Sequence, residues 1–199
     1  MNVPSDDEIQ RIVHRVLSQL AGTQKPGDTA ASVSTPVAPV QKAETKPTER
    51  RAIAIGADHG GFELKELLKP ELINAGFELI DVGTNSKEPV DYPDFAHEVA
   101  KLVSVGKAWR GIVIDGAGIG SCIVANKVPG VRAGMAYDYS SAVNSREHND
   151  TNVLSLGAGL IGVNLARQIV TVWLATPFGG GRHERRVNKI HQIEQQYLK

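Results

Sequence analysis

The chain holds a single cysteine, Cys122, which excludes an intramolecular disulfide framework and fits a reducing cytosol. Long hydrophobic runs are also missing. No stretch reaches the roughly 18 consecutive apolar residues that a membrane-spanning helix needs, and the first residues lack the continuous apolar segment of a secretory signal. Charge of one sign is not in excess: Lys and Arg number 22, and so do Asp and Glu. That balance gives no reason to expect a nucleic-acid or membrane partner. What is present is 199 residues, 41% of them hydrophobic, enough for one domain with a sizeable core and an appendage.

Composition divides the chain into three zones. In residues 1–21 the apolar side chains Ile9, Ile12, Val13, Val16, Leu17 and Leu20 form one stripe at helical spacing. Ser5 followed by Glu8 reads as a capping box, and Asp6 and Asp7 suit a positive helix start. An amphipathic helix is expected over 5–20. Residues 22–50 carry four prolines, many Ala, Ser and Thr, and no aromatic residue. Such a segment cannot bury enough surface to offset its ordering entropy, so a disordered linker is expected. A helix on a long tether reads as a docking or targeting element.

Residues 51–199 alternate strands and helices. Strands are expected at 52–57, 77–83, 110–118, 131–137 and 152–159. Helices are expected from about Gly61 to Ala75, at 94–105, opening near Gly120, and at 139–147, 162–175 and 184–197. This alternation implies βαβ crossovers and a parallel sheet covered on both faces. Ligands then sit beyond the carboxyl ends of the strands.

Those ends are rich in candidates. Gly116-Ala117-Gly118-Ile119-Gly120 leaves the third strand and enters a helix, exposing backbone amides suited to a phosphate or an oxyanion; a tight strand–helix turn would need the same glycines. The spacing is neither a P-loop nor a dinucleotide fingerprint. Asp115 closes the apolar strand GIVID and faces that loop. It reads either as a proton shuttle activated by partial burial or as a helix cap or arginine partner. His59 and His148 both follow expected strands beside carboxylates, and two imidazoles on one rim suit acid/base work. Asp58, His59, His148 and Asp150 offer metal donors, but no HxH or HExxH spacing occurs, and no metal is expected. Arg182 and Arg186 lie one helical turn apart after three glycines, matching a phosphate dianion or a solvated basic face. Cys122 reads as a small buried hydrophobe.

In order, GADHGGFELK (56–65), DYPDFA (91–96), GAGIGSCIVANKVPGVRAG (116–134), SREHNDTNVLSLGAGLIG (145–162) and GGRHERRV (180–187) resemble the ribose-5-phosphate isomerase B and galactose-6-phosphate isomerase (LacA/LacB) family. The resemblance covers about 52–197. It implies a Rossmann-like three-layer α/β/α sandwich with a five-stranded parallel sheet, forming a homodimer or tetramer with sites between subunits. It implies no metal and no cofactor. The implied reaction is ring opening of a sugar phosphate, then proton transfer between C1 and C2 through an enediolate, with ribose 5-phosphate as the favoured substrate. On that resemblance Asp58 and His59 contact the sugar or its phosphate, and His148 of the neighbouring subunit opens the ring. The loop 116–120 holds the enediolate oxygen; Asn149, Arg182 and Arg186 bind substrate and phosphate; Tyr92 lies near the pocket.

The chain departs from the pattern at its centre. Most family members of the ribose-phosphate type carry cysteine at Asp115 and threonine at Ala117, and some place glutamate at Ser121. GIVIDGAG is more similar to the A subunit of galactose-6-phosphate isomerase, whose catalytic cysteine comes from the B subunit. Three readings follow: Asp115 replaces the cysteine as base, a paralogous subunit completes the site, or the chain only binds. The first is preferred, because a carboxylate can move a carbon-bound proton. The N-terminal helix and linker resemble the encapsulation peptides of enzymes packaged in bacterial microcompartments, implying shell proteins as partners of 5–20 and the microcompartment lumen within the bacterial cytoplasm as the location. Self-association as a coiled coil is the alternative; the acidic start counts against a membrane-surface helix or a transit peptide.

Overall fold

The structure, a computed structural model, describes residues 51–198. The helix expected over 5–20 and the linker expected over 22–50 lie outside the described residues. The elements run β1 (Ala52–Ala57), α1 (Phe62–Asn74), β2 (Glu78–Asp81), α2 (Tyr92–Ser104), β3 (Arg110–Asp115), α3 (Ile119–Ala125), β4 (Ala133–Met135), α4 (Tyr139–Glu147), β5 (Val153–Gly157), α5 (Val163–Ala175) and α6 (Arg182–Tyr197).

The five strands form one parallel sheet in the order β2-β1-β3-β5-β4. Alternation along the strands builds two cores. Ile53, Ile55, Ile112, Ile114, Leu154 and Leu156 face one side, packing on Leu64, Leu68 and Leu72 of α1 and Ile169 and Trp173 of α5. Ala54, Val113 and Val153 face the other side, against Val99, Ala100 and Val103 of α2 and Ala125 at the end of α3. The period of two in strands and of four along α1 thus sends each helix to its layer. Gly76, with φ of +92°, ends the turn after α1 in the left-handed region that favours glycine.

The chain reverses its winding between β1 and β3, and again between β4 and β5. From β1 it moves outward to β2, then crosses back so that β3 pairs with the opposite side of β1. In such sheets ligands usually sit at the first switch point, in the crevice beyond the carboxyl ends of the two strands.

Strand β1 matches its expected bounds, and the other four strands are shorter than the sequence suggests, since glycines and polar residues at their ends turn into loops. Helix α2 begins earlier, at Tyr92, because Pro93 falls in its first turn, where a missing amide costs nothing. Among the described residues one charged side chain is wholly interior. Lys65 of α1 is fully buried, with its ammonium 2.6 Å from Asp81 and 2.7 Å from Glu66.

Candidate active site

The crevice between β1 and β3 is built by close backbone approach. A Cβ on Gly61 would lie 2.2 Å from the Ile114 carbonyl oxygen, so only glycine lets the chain after β1 press on the end of β3. A Cβ on Gly60 would lie 3.2 Å from the Gly116 nitrogen and 3.3 Å from Asp58 Oδ1, which puts the Asp58 carboxylate on the border of the glycine loop. Asp58 is 7% exposed, and its Oδ1 accepts the Gly61 amide at 3.0 Å. His59 Nδ1 lies 3.2 Å from both the amide and the carbonyl of Val90 and 4.0 Å from Asp58 Oδ2. That contact ties the loop before α2 to the rim. Tyr92, rigid at the start of α2, lays its ring on Gly120, where a Cβ would fall 2.5 Å from the ring carbons.

Asp115 faces the loop, as the sequence suggests, but it is fully engaged there. Its Oδ1 accepts the amides of Ala117, at 2.8 Å, and Gly118. Its Oδ2 accepts the Ser121 amide at 3.0 Å and the Ser121 hydroxyl at 2.5 Å. Two donors per oxygen fill the lone-pair sites of a carboxylate. The loop is also pinned from β5: Ala158 and Gly159 donate to the carbonyls of Asp115 and Gly116 at 2.8 and 2.9 Å, and Ser155 Oγ donates to the Gly118 carbonyl at 2.6 Å. Gly118 has φ of +79°, and a Cβ there would lie 2.9 Å from the Leu156 carbonyl carbon.

Two expectations change as a result. The amides of Ala117 and Gly118 point inward to Asp115 rather than to a ligand. Ile119 and Gly120 open α3, so their amides have no intrahelical acceptor. Asp115 takes the alternative role of a cap, leaving no vacant lone pair for a substrate proton. Cys122 is half-buried, and burial pushes its thiol up, with Asp115 adding to the rise against a hydrogen bond from Asn126; this is not a thiolate environment.

The second imidazole lies elsewhere. His148 caps the C-terminus of α4, which runs back from β4 to the start of β5. Two buried arginines confirm the direction. Arg110, at the start of β3, donates to the Trp173 and Leu174 carbonyls at the end of α5, at 2.8 and 3.0 Å. Arg146, beside His148, donates to the Thr176 carbonyl in the same place at 3.3 Å. His148 therefore sits at the amino end of the strands, about 16 Å along β3 from Asp115. The expectation that His59 and His148 share one rim of a single chain is corrected. The reason is topological: a crossover helix carries its C-terminus to the end of the sheet opposite the one where it began.

Around His148 a second cluster assembles. Gly179 donates to the Glu147 carbonyl at 2.9 Å, docking the start of α6 on the end of α4. His183 then stacks on His148, with centroids 4.0 Å apart and planes 6° from parallel. Arg182 Nε lies 3.3 Å from His183 Nε2, and Arg186 follows one turn later on α6. Loss of solvent, then the charges of His148, Arg182 and Arg186, push His183 below the ordinary imidazole value. Asn144 Nδ2 lies 2.8 Å from His148 Nδ1, and Asn149 reaches the Asn144 carbonyl at 3.3 Å. Asp150 is committed to Arg132 and Arg146, each at 2.8 Å. Among the described residues, no group of three or more His, Cys, Asp or Glu is arranged to hold a metal ion. Sequence reasoning passed over His183 because its partner lies 35 residues away and only the fold joins them.

So the chain carries two clusters: carboxylates and a glycine loop at one end of the sheet, and imidazoles with guanidinium groups at the other. The family described as Ribose/Galactose Isomerase matches residues 53–190. Ribose-5-phosphate isomerase B of Escherichia coli is 47% identical over 145 residues, covering 73% of this chain and 97% of that protein. D-erythrulose-4-phosphate isomerase of Pectobacterium atrosepticum is 41% identical over 147 residues, covering 73% of this chain and 96% of the relative. Among solved structures, ribose-5-phosphate isomerase B of Clostridium thermocellum superposes with a TM-score of 0.73 at 50% identity, covering 74% of this chain and 99% of the other. The chain belongs to the ribose/galactose isomerase family.

Proposed function

We propose that this sugar-phosphate isomerase interconverts ribose 5-phosphate and ribulose 5-phosphate by ring opening followed by an enediolate shift. The observation that carries the reading is the division of the two clusters. Neither end alone holds both an anion-binding set and a carboxylate rim, yet the two sets are complementary. A second copy that sets its α4 end against the β1/β3 rim of the first completes both sites of a homodimer. Asp58, His59 and Tyr92 then border the sugar, and the outward amides of Ile119 and Gly120 face its oxygen. His148, Asn149, Arg182 and Arg186 of the neighbouring copy open the ring and hold the phosphate.

Surface chemistry supports self-association. Helix α6 buries only Val187 and exposes Ile190, Ile193 and Tyr197, the last to 80%. These line a groove of about 1090 Å³ along the edge of β4, which pairs only with β5 among the described residues. A row of apolar side chains beside an open strand edge is the kind of surface that a partner covers.

A progress curve on the isolated chain with ribose 5-phosphate tests the reading. Formation of ribulose 5-phosphate is expected; no turnover with any pentose or hexose phosphate contradicts it. Turnover appearing only after a paralogous chain is added favours the heteromeric reading, to which the engagement of Asp115 lends support. For residues 5–20 we propose docking on microcompartment shell proteins, on the strength of the apolar stripe. Deleting 1–22 is expected to leave turnover intact while abolishing co-purification with shell proteins; unchanged co-purification contradicts it.

A further inference from the structure

We propose that Asp58 carries the hydrogen between C1 and C2, and that Asp115 is a positioning residue that holds the loop opposite it. The inference rests on the isomerase reading and assigns its central step. Two carboxylates close neighbouring strands at the crevice, and their surroundings differ. Asp115 accepts four hydrogen bonds, two on each oxygen. Asp58 accepts one, on Oδ1. Its Oδ2 has no hydrogen-bond partner among the described residues and is separated by 4.0 Å from the His59 ring. No side-chain oxygen shut off from solvent lacks a partner among the described residues, so Oδ2 looks into open space although Asp58 is 7% exposed. The carboxylate stands beside the glycine loop: a Cβ on Gly60 would lie 3.3 Å from Asp58 Oδ1 and 3.2 Å from the Gly116 nitrogen, and a Cβ on Gly116 would meet nothing within 4 Å.

The neighbours do not compete for the role. Ser121 spends its one hydroxyl proton on Asp115 and is a weak base. Cys122 is held in the thiol form by burial. His59 Nδ1 is turned to Val90. In the aldose-to-ketose direction, Asp58 Oδ2 takes the proton from C2 as that C–H bond breaks. The electron pair moves into a C1–C2 double bond, and the C1 carbonyl pair moves onto its oxygen. The carboxyl group, whose proton can exchange with solvent at this stage, then delivers a proton to C1, while the O2 hydroxyl proton passes to O1. C2 is oxidised and C1 reduced, and no other reagent is consumed. Asp115 takes no proton; by drawing the Ala117, Gly118 and Ser121 amides inward it turns the start of α3 toward the substrate.

The experiment compares Asp58→Asn, Asp58→Glu and Asp115→Asn with the wild-type chain. It reads kcat, KM, calorimetric binding of ribose 5-phosphate, and exchange of the C2 hydrogen in deuterium oxide by NMR. Asp58→Asn is expected to lower kcat and exchange about 1000-fold with binding within about fivefold. Asp58→Glu, which moves the carboxylate without removing it, is expected to keep exchange at about one hundredth of the wild-type rate. Asp115→Asn is expected to raise KM and lower the melting temperature while exchange continues. Exchange within about tenfold of wild type in either Asp58 variant, or its complete loss in folded Asp115→Asn, overturns the assignment. Absence of turnover in the wild-type chain overturns the isomerase reading itself, and the assignment with it.

Discussion

The two ends of the sheet are braced alike and equipped differently. At the carboxyl end, buried Lys65 sits between Asp81 and Glu66 beneath the rim, and a Cβ on Gly83 would lie 2.9 Å from its side chain. At the amino end, Arg110 lies between the rings of Trp109 and Trp173, 4.0 and 5.0 Å from their centroids, and Arg146 pairs with Asp150. Among the described residues no carboxylate forms an ion pair with Arg110, and burial, with Arg146 nearby, outweighs the attraction of Asp150 and pushes it down to about 9. Both ends therefore hold a loop or helix terminus with an interior cation. The carboxyl end presents Asp58 and His59 beside a glycine loop, and the amino end presents the stacked His148 and His183 with the guanidinium groups of Arg182 and Arg186. A fold can thus divide one chemistry between two ends of a single chain, provided that a second copy brings them together.

The comparison can be broken at either end. The largest effect is expected at the amino end, where His148→Asn removes the proposed ring-opening group. Turnover of ribose 5-phosphate is expected to fall about 1000-fold, with the circular dichroism spectrum unchanged. Replacing Arg182 and Arg186 together by alanine is expected to raise KM about 100-fold, with a smaller change in kcat, since two charge-assisted contacts to a phosphate are lost. An unchanged KM would mean that the phosphate is held elsewhere.

The braces come next. Asp81→Asn leaves buried Lys65 with Glu66 alone and is expected to cost about 2 kcal/mol by chemical denaturation. The same brace predicts an acid limb. Burial alone would raise Asp81, but hydrogen bonds from Lys65 and Lys69 outweigh it and hold its carboxyl below the usual range. Glu66 is lowered in the same way by Lys65. A carboxyl lowered in the folded state adds stability above its unfolded value, and that stability is lost as pH falls through the folded value. Melting temperature is therefore expected to drop below about pH 4, and to drop less in Asp81→Asn. The smallest effect sharpens the comparison rather than breaking it. His183→Ala removes the ring stacked on His148 and is expected to lower kcat/KM about tenfold and to move the pH profile of turnover, which a purely structural role would not do.

Much of this architecture is legible in the sequence. GIVID and the alternation around it give the strands, the spacing of Leu64, Leu68 and Leu72 gives a core-facing helix, and the ordered motifs give the family. What the sequence hides is relational. Tyr92 reads as loop because Pro93 follows it, yet proline is welcome in a first turn. The burial of Lys65 is not visible locally, since its partner Asp81 arrives from a strand that follows the helix. His148 reads as a rim residue because local sequence does not say which end of the sheet a crossover helix reaches. Asp115 is the subtlest case. A carboxylate before glycines suits either a reacting group or a loop cap, and only the four donors around it favour the cap.

Subunit mixing asks whether Asp58 of one copy and His148 of the other share one site. Asp58→Asn and His148→Asn chains, each inactive alone, are unfolded together and refolded as an equimolar mixture. Random pairing makes half of the dimers hybrids, each with one intact site, so activity is expected to return to about a quarter of wild type. A mixture that stays as inactive as its components would contradict the account, because it would place both residues in one chain's own site.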